Sequence, residues 1–214
     1  MPDTPPVSSA PVSSAPVSSA PGRSRVQRNH DRILAAAIEL FAERGPDAVT
    51  MADIAAAAGM ARSSVFNHFP SKNLILACFF RRMTDEILAE ARAKPRPGFR
   101  ASMLDLGRIA GTRAMRHRRI VAAIAGLTAP RQPLAATERE TDDAMLTHMQ
   151  ALIRAGQATG EVRDDQSAAS LAGLLLAVLT ASAHEWVAGG QRDDLSALLE
   201  ARFSLVLDGL TRKS

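Results

Sequence analysis

Tyrosine is absent from this chain of 214 residues, tryptophan and cysteine occur once each, and aromatic residues make up 4%. A single cysteine, Cys78, excludes an internal disulfide and a cysteine metal cage, and so points to a reducing, cytoplasmic setting. It sits in the run Leu74-Ile75-Leu76-Ala77-Cys78-Phe79-Phe80, where a thiol behaves as a small buried hydrophobe. A glycine-rich phosphate loop, an HExxH pair and a cysteine–histidine pair for nucleophilic catalysis are also missing. No catalytic residue, metal or cofactor is therefore expected. Long apolar runs are lacking too. The longest candidate, Leu171 to Ala183, is short for a membrane span and rich in alanine, and no basic start precedes an apolar block at the N-terminus.

Hydrophobic residues nevertheless make up 46% of the chain, mostly as alanine and leucine, which favours helices over sheets. The formal net charge of +4 suits a polyanionic partner. Residues 1–22 carry PVSSA three times in tandem. Proline at every fifth position forbids a continuous helix and Ser/Ala offers nothing to bury, so this segment is expected to be a disordered tail. Arg23, Arg25, Arg28 and Arg32 follow, against one acid, Asp31. As a flexible basic arm they would suit a DNA minor groove; a solvated charge run is the other reading.

The periodicity predicts an all-α chain. A first helix carries Ile33, Leu34, Ala37, Ile38, Leu40 and Phe41 at helical spacing and ends at Gly45-Pro46. Thr50, with Asp53 three residues on, caps a short second helix that ends at Gly59. A third spans about 61–69 and stops at Pro70. Ser71 caps a fourth, running to about Lys94 with Ile75, Phe79, Met83 and Ile87 in one stripe. Further helices are expected near 99–117, 119–128, 135–158, 166–188 and 193–211, with breaks at Ala129-Pro130 to Pro133, Gly160 and Gly189-Gly190.

Two short helices joined through a glycine and packed on a longer first helix form the layout of a helix-turn-helix. On the third helix Val65 and Phe69 share the inward face, and Ser63 and Asn67 lie opposite, flanked by Ser64 and Phe66. Arg62 and His68 lie at the sides. A small, hydrogen-bonding outer face is what a major groove admits: Asn can pair with adenine, Arg with guanine and Ser with either, while Phe66 can touch only thymine methyls or sugars.

The stretch from Asp31 to Phe80, DRILAAAIELFAERGPDAVTMADIAAAAGMARSSVFNHFPSKNLILACFF, resembles the tetracycline-repressor (TetR-like) family of bacterial regulators. ILxAAxxLFxxxG, TMxDIAxxAG and FPSK occur in order and at matching distances. The resemblance implies a homodimer with an N-terminal DNA-reading domain, here 23–71, and a helical ligand-binding and dimerisation domain, here 72–214. It also implies a double-stranded DNA operator. Thr50, His68 and Lys72 would contact phosphate, and Arg62, Ser63, Ser64 and Asn67 would face the groove. Phosphate contacts fix orientation, whereas the groove set reads sequence. Phe66 stands where the family usually has tyrosine, which removes a phosphate-bonding hydroxyl. Ala61 stands where a serine cap is common, a loss of about 1 kcal/mol.

Beyond Phe80 the residues themselves carry the reading. Candidates for a small-molecule pocket are Met83, Ile87, Met103, Leu106, Ile109, Met145, His148, Met149 and Leu152, because methionine adapts to irregular ligands; ordinary core is the competing reading. The last two helices are apolar over more than one stripe. Leu171, Leu174, Leu175, Val178, Leu195, Leu199, Phe203, Val206 and Leu210 are the dimer-interface candidates. The basic run Arg113, Arg116, His117, Arg118 and Arg119 reads either as an anion site or as a solvated face. Together these features describe a repressor released from a palindromic operator by a small molecule. The alternative is a ligand-independent, chromosome-organising DNA-binding protein.

Overall fold

The computed structural model describes the backbone of residues 24–127 and 135–210 and the side chains of residues 24–125 and 141–210. The repeat tail at 1–22 and the break from Ala129 to Pro133 lie outside the described residues. Within them the chain is all-α and contains no strand.

Helix α1 (Arg25–Arg44) starts where Ser24 Oγ accepts the Gln27 amide at 3.1 Å, and Gln27 Nε2 donates to Asp31 Oδ1 one turn on, also at 3.1 Å. The cap places Arg25, Arg28 and Arg32 on a helix, which corrects the expectation of a flexible basic arm. The helix ends at Gly45, whose φ of 79° excludes most side chains, and a short 3-10 turn follows at Pro46–Ala48. Helices α2 (Met51–Ala57) and α3 (Arg62–His68) come next. Helix α2 packs on both α1 and α3, and Ile33, Phe41, Ile54 and Val65 are all fully buried.

Helix α4 (Lys72–Ala93), capped by Ser71, leads from this domain into a bundle. The bundle contains α5 (Gly98–Arg116), α6 (Arg118–Leu127), α7 (Ala135–Thr159), α8 (Ala168–Ala188) and α9 (Leu195–Leu210). Pro97 cannot cap α5 with a side chain. Instead Glu161, from the loop after α7, accepts the Phe99 and Arg100 amides at 2.8 and 3.1 Å. Helices α5 and α9 lie very close together. A Cβ added at Gly111 would sit 2.6 Å from the Ser196 Cα, so only glycine permits this crossing. Asp105, nearly buried, is braced by Arg96 and Arg108; burial pushes its carboxyl up, but the two guanidinium groups outweigh that and hold it below the usual range.

The packing divides the dimer candidates. Leu171, Leu175, Leu195, Leu199, Phe203 and Leu210 are buried within their own chain. Leu174, at 47% exposed, stays open, and Val178 and Val206 are half-buried. Leu205, which the sequence reading passed over, is 75% exposed. Both helices are apolar nearly all round, so periodicity alone could not tell the inward face from the outward one. Helix α8 also corrects the expectation about long apolar runs: its 21 residues are long and apolar enough, by composition, to cross a membrane. In the fold it packs against α6, α7 and α9.

Candidate DNA-reading face and ligand cavity

The outer face of α3 depends on where the turn before it points. Gly59, at φ 59°, ends α2 in the left-handed region, and a Cβ there would press to 3.1 Å on Arg32. Arg32 reaches from α1 and donates to the Ala58 and Gly59 carbonyls, fixing the turn from outside. Val65 (0% exposed) and Phe69 then face inward, and Arg62, Ser63, Phe66 and Asn67 stand in solvent, with Ser64 and His68 half-buried at the sides. The Arg62 guanidinium lies 5.4 Å from the centre of the Phe66 ring, within cation–π reach.

The expected phosphate contacts are tied into the frame of the free chain. Thr50 Oγ1 accepts the Asp53 amide at 3.2 Å and donates to Asp53 Oδ2 at 2.7 Å, and the Thr50 amide donates to the same oxygen at 2.8 Å. The hydroxyl bond first, then the amide bond, holds the Asp53 carboxyl below its ordinary range. Lys72 Nζ donates to the Pro46 carbonyl and to the Val49 carbonyl, the latter at 3.2 Å. An ammonium has three donors, so Lys72 both clasps the α1–α2 connection and keeps a hydrogen for another acceptor.

Beside the middle of α4 lies a cavity of about 330 Å³, walled by α4, α5, α6, α7, α8 and α9. That volume is near the lower end of the range for ligand sites, about 300–1,000 Å³. Met83, Ile87 and Met145 line it. Met103, Leu106, Ile109 and Met149 are instead buried core, and Leu152 packs half-buried against that core. His148 stands off the cavity beside Arg92; burial first, then that arginine, lowers its pKa. Leu195 and Leu199, dimer candidates by sequence, form part of the cavity wall. Thr84 and Asp142 also line it and were missed. Thr84 had left a signal: it is a polar residue on the Phe80–Met83–Ile87 stripe of α4, where a core helix would place another hydrophobe.

Cavity and DNA-reading domain are joined twice. Helix α4 carries Met83, Thr84 and Ile87 in the cavity wall and Lys72 at its first position. Helix α6 carries Val121, Ile124 and Ala125 in the wall, while its first turn sends Arg119 to the Ala42 carbonyl (3.0 Å) and the Glu43 carbonyl at the end of α1. Arg113 bridges α5 to Glu86 and, at 2.9 Å, to Glu90 on α4. His117 packs edge-on against Phe79, and burial lowers its pKa. In the basic run, Arg113 and Arg119 thus serve as struts between helices.

Residues 33–77 match a family described as bacterial regulatory proteins, tetR family. Over 70 residues the chain is 34% identical to an uncharacterized HTH-type transcriptional regulator of Mycobacterium tuberculosis, a match spanning 33% of this chain and about a third (35%) of the relative. The whole fold is similar to that of Thermus thermophilus FadR, a TetR-family transcriptional repressor solved with lauroyl-CoA (25% identity, TM-score 0.71, covering 86% of this chain and 97% of that one). FadR from Bacillus subtilis, solved with stearoyl-CoA, superposes with a TM-score of 0.72 at 18% identity, covering 84% and 98%. A regulator from Saccharomonospora viridis in complex with choline does so at 0.64 and 22%, covering 87% and 99%.

Proposed function

Because residues 33–77 match the tetR family of bacterial regulatory proteins and the fold is similar to that of a TetR-family repressor, we propose that the chain is a cytoplasmic repressor of that family, bound as a homodimer to a palindromic operator and released when a small molecule fills the α4–α9 cavity. The supporting observation is the division of α3: Val65 and Phe69 anchor it, and Arg62, Ser63 and Asn67 are presented to solvent on a helix whose preceding turn is held by Arg32. Arg62, Ser63, Ser64 and Asn67 read base edges; Thr50, Phe66, His68 and Lys72 hold phosphate or sugar.

The dimer forms through the open apolar face of α8 and α9, around Leu174 and Leu205. It sets the two α3 helices about 34–36 Å apart, one turn of DNA. A ligand that displaces α4 or α6 alters this spacing, because α4 ends at Lys72 and α6 holds the end of α1. Ligand and operator then oppose each other with a coupling of about 1–3 kcal/mol. The fold neighbours hold ligands as different as stearoyl-CoA and choline, so the fold leaves the ligand open.

Selection of bound DNA from a random pool tests the proposal. The expected result is a palindrome with two half-sites one helical turn apart. Coverage without sequence preference would favour a chromosome-organising role and defeat the repressor reading.

A further inference from the structure

Five polar side chains line the cavity among the described residues: Thr84, Thr141, Asp142, Thr180 and His184. Thr180 spends its hydroxyl on the Leu176 and Ala177 carbonyls, at 3.0 and 3.2 Å. His184 Nδ1 is engaged with the Thr180 carbonyl at 2.8 Å, and Thr141 has an interaction of its own. Thr84 and Asp142 differ from these. Thr84 is 4% exposed, and neither it nor Asp142 forms a hydrogen bond or ion pair among the described residues. A polar side chain that lines a cavity without a protein partner is satisfied by what enters the cavity, so the pair points to a group that arrives with the ligand.

The charge balance indicates which group. Among the described lining residues there is no lysine or arginine, and the rest of the wall is apolar. Among the described residues, a carboxylate or phosphate would meet Asp142 with no lysine or arginine to offset it. An ammonium would find the carboxylate as counter-ion and the Thr84 hydroxyl as a further acceptor.

We propose that the cavity takes a compact aliphatic amine in its protonated form, with its hydrocarbon among Met83, Ile87, Val121 and Ile124 and its ammonium held by Asp142 and Thr84. Helices α4 and α7 pack against each other and carry these two side chains into the same cavity. Burial, and then the neighbouring Asp143, raise the Asp142 carboxyl above its ordinary range, as expected of a carboxylate whose counter-ion has not arrived. The inference rests on the reading of the cavity as a ligand site.

Calorimetric titration of the full chain with n-octylamine, 1-octanol and octanoate, which share one chain length, tests it. Octylamine should bind at least about tenfold tighter than octanol, a difference of roughly 1.4 kcal/mol, and octanoate should bind weakest. Asp142→Asn should erase the gap between amine and alcohol while leaving octanol binding unchanged. Thr84→Val, which keeps the side-chain shape, should weaken octylamine about three- to tenfold. Equal or tighter binding of octanol or octanoate, an undiminished amine preference in Asp142→Asn, or no binding by any of the three would overturn it. Octylamine binding with this preference but with no effect on operator affinity would leave the ligand class standing and defeat the release mechanism alone.

Discussion

Thr50 and Asp53 cap one another across three residues, and Ser71 caps the Leu74 amide in the same way, at 3.3 Å. Thr84 and Asp142 reach one cavity from two helices far apart in sequence, and the carboxylate is left unpaired there. The N-terminal domain is thus capped largely by short-range contacts, with Arg32 and Lys72 as its long-range clamps, and His30 Nδ1 on α1 is buried in it without a hydrogen-bond partner among the described residues. The bundle is built by packing between distant helices, and Thr84 and Asp142 line its cavity without a protein partner among those residues. Short-range caps fix the frame of a small domain; polar groups open to a cavity make a site that gains stability on binding.

The sharpest way to break this contrast is to cut a long-range contact in the bundle. Phe203 is fully buried, and its ring would lie 3.1 Å from a Cβ added at Gly107. Phe203→Ala should cost about 3–5 kcal/mol in urea unfolding. A loss below 1 kcal/mol would mean that α9 is not integral to the bundle.

In the reader the largest effect should fall on specificity. Asn67→Ala should lose about 1–3 kcal/mol on the selected operator and little on unrelated DNA, as measured by competition binding. An unchanged sequence preference would show that Asn67 does not face a base.

The local caps should cost less. Thr50→Ala removes the reciprocal box of α2 and should lower stability by about 1 kcal/mol. A smaller effect is expected at Phe66. If its ring covers a thymine methyl, uracil in place of thymine should weaken operator binding by a few-fold, and Phe66→Ala should abolish the difference between the two bases.

The smallest effect concerns Asp142. Its pKa is raised in the folded chain, so the native state holds its proton at pH values where the unfolded chain has lost it. Its contribution to stability is therefore present below the unfolded value of 3.8 and falls as pH rises through the raised value. Asp142→Asn should remove that fall. Octylamine should reduce it in the parent chain, since a bound cation favours the charged form. An identical pH profile for parent and variant would place Asp142 outside the apolar environment.

The helices were legible because their boundaries rest on local chemistry. Ser24 lengthened α1 at its start, turning three arginines of an expected arm into helix, while Gly45, Thr50, Gly59, Pro70 and Ser71 punctuate the reader as their side chains dictate. The outer face of α3 was legible for the same reason: a two-turn helix with Val65 and Phe69 on one side has one way to pack. The cavity was much less so. Of nine candidates only Met83, Ile87 and Met145 line it, because methionine on an apolar stripe suits core and cavity equally. Asp142 lies beside Asp143 in the sequence, and only the packing of α4 and α8 against α7 places one of the two in the cavity wall.

By itself, then, the sequence determined the all-helical class, the element borders and the polar face of α3, because caps, turns and a 3.6-residue period act within a few residues. The tertiary structure alone decided which sides of α8 and α9 are inner, which methionines face the cavity and where Thr84 and Asp142 meet it. Those choices depend on how closely distant backbones approach, as at Gly111 against Ser196, and no single segment carries that information.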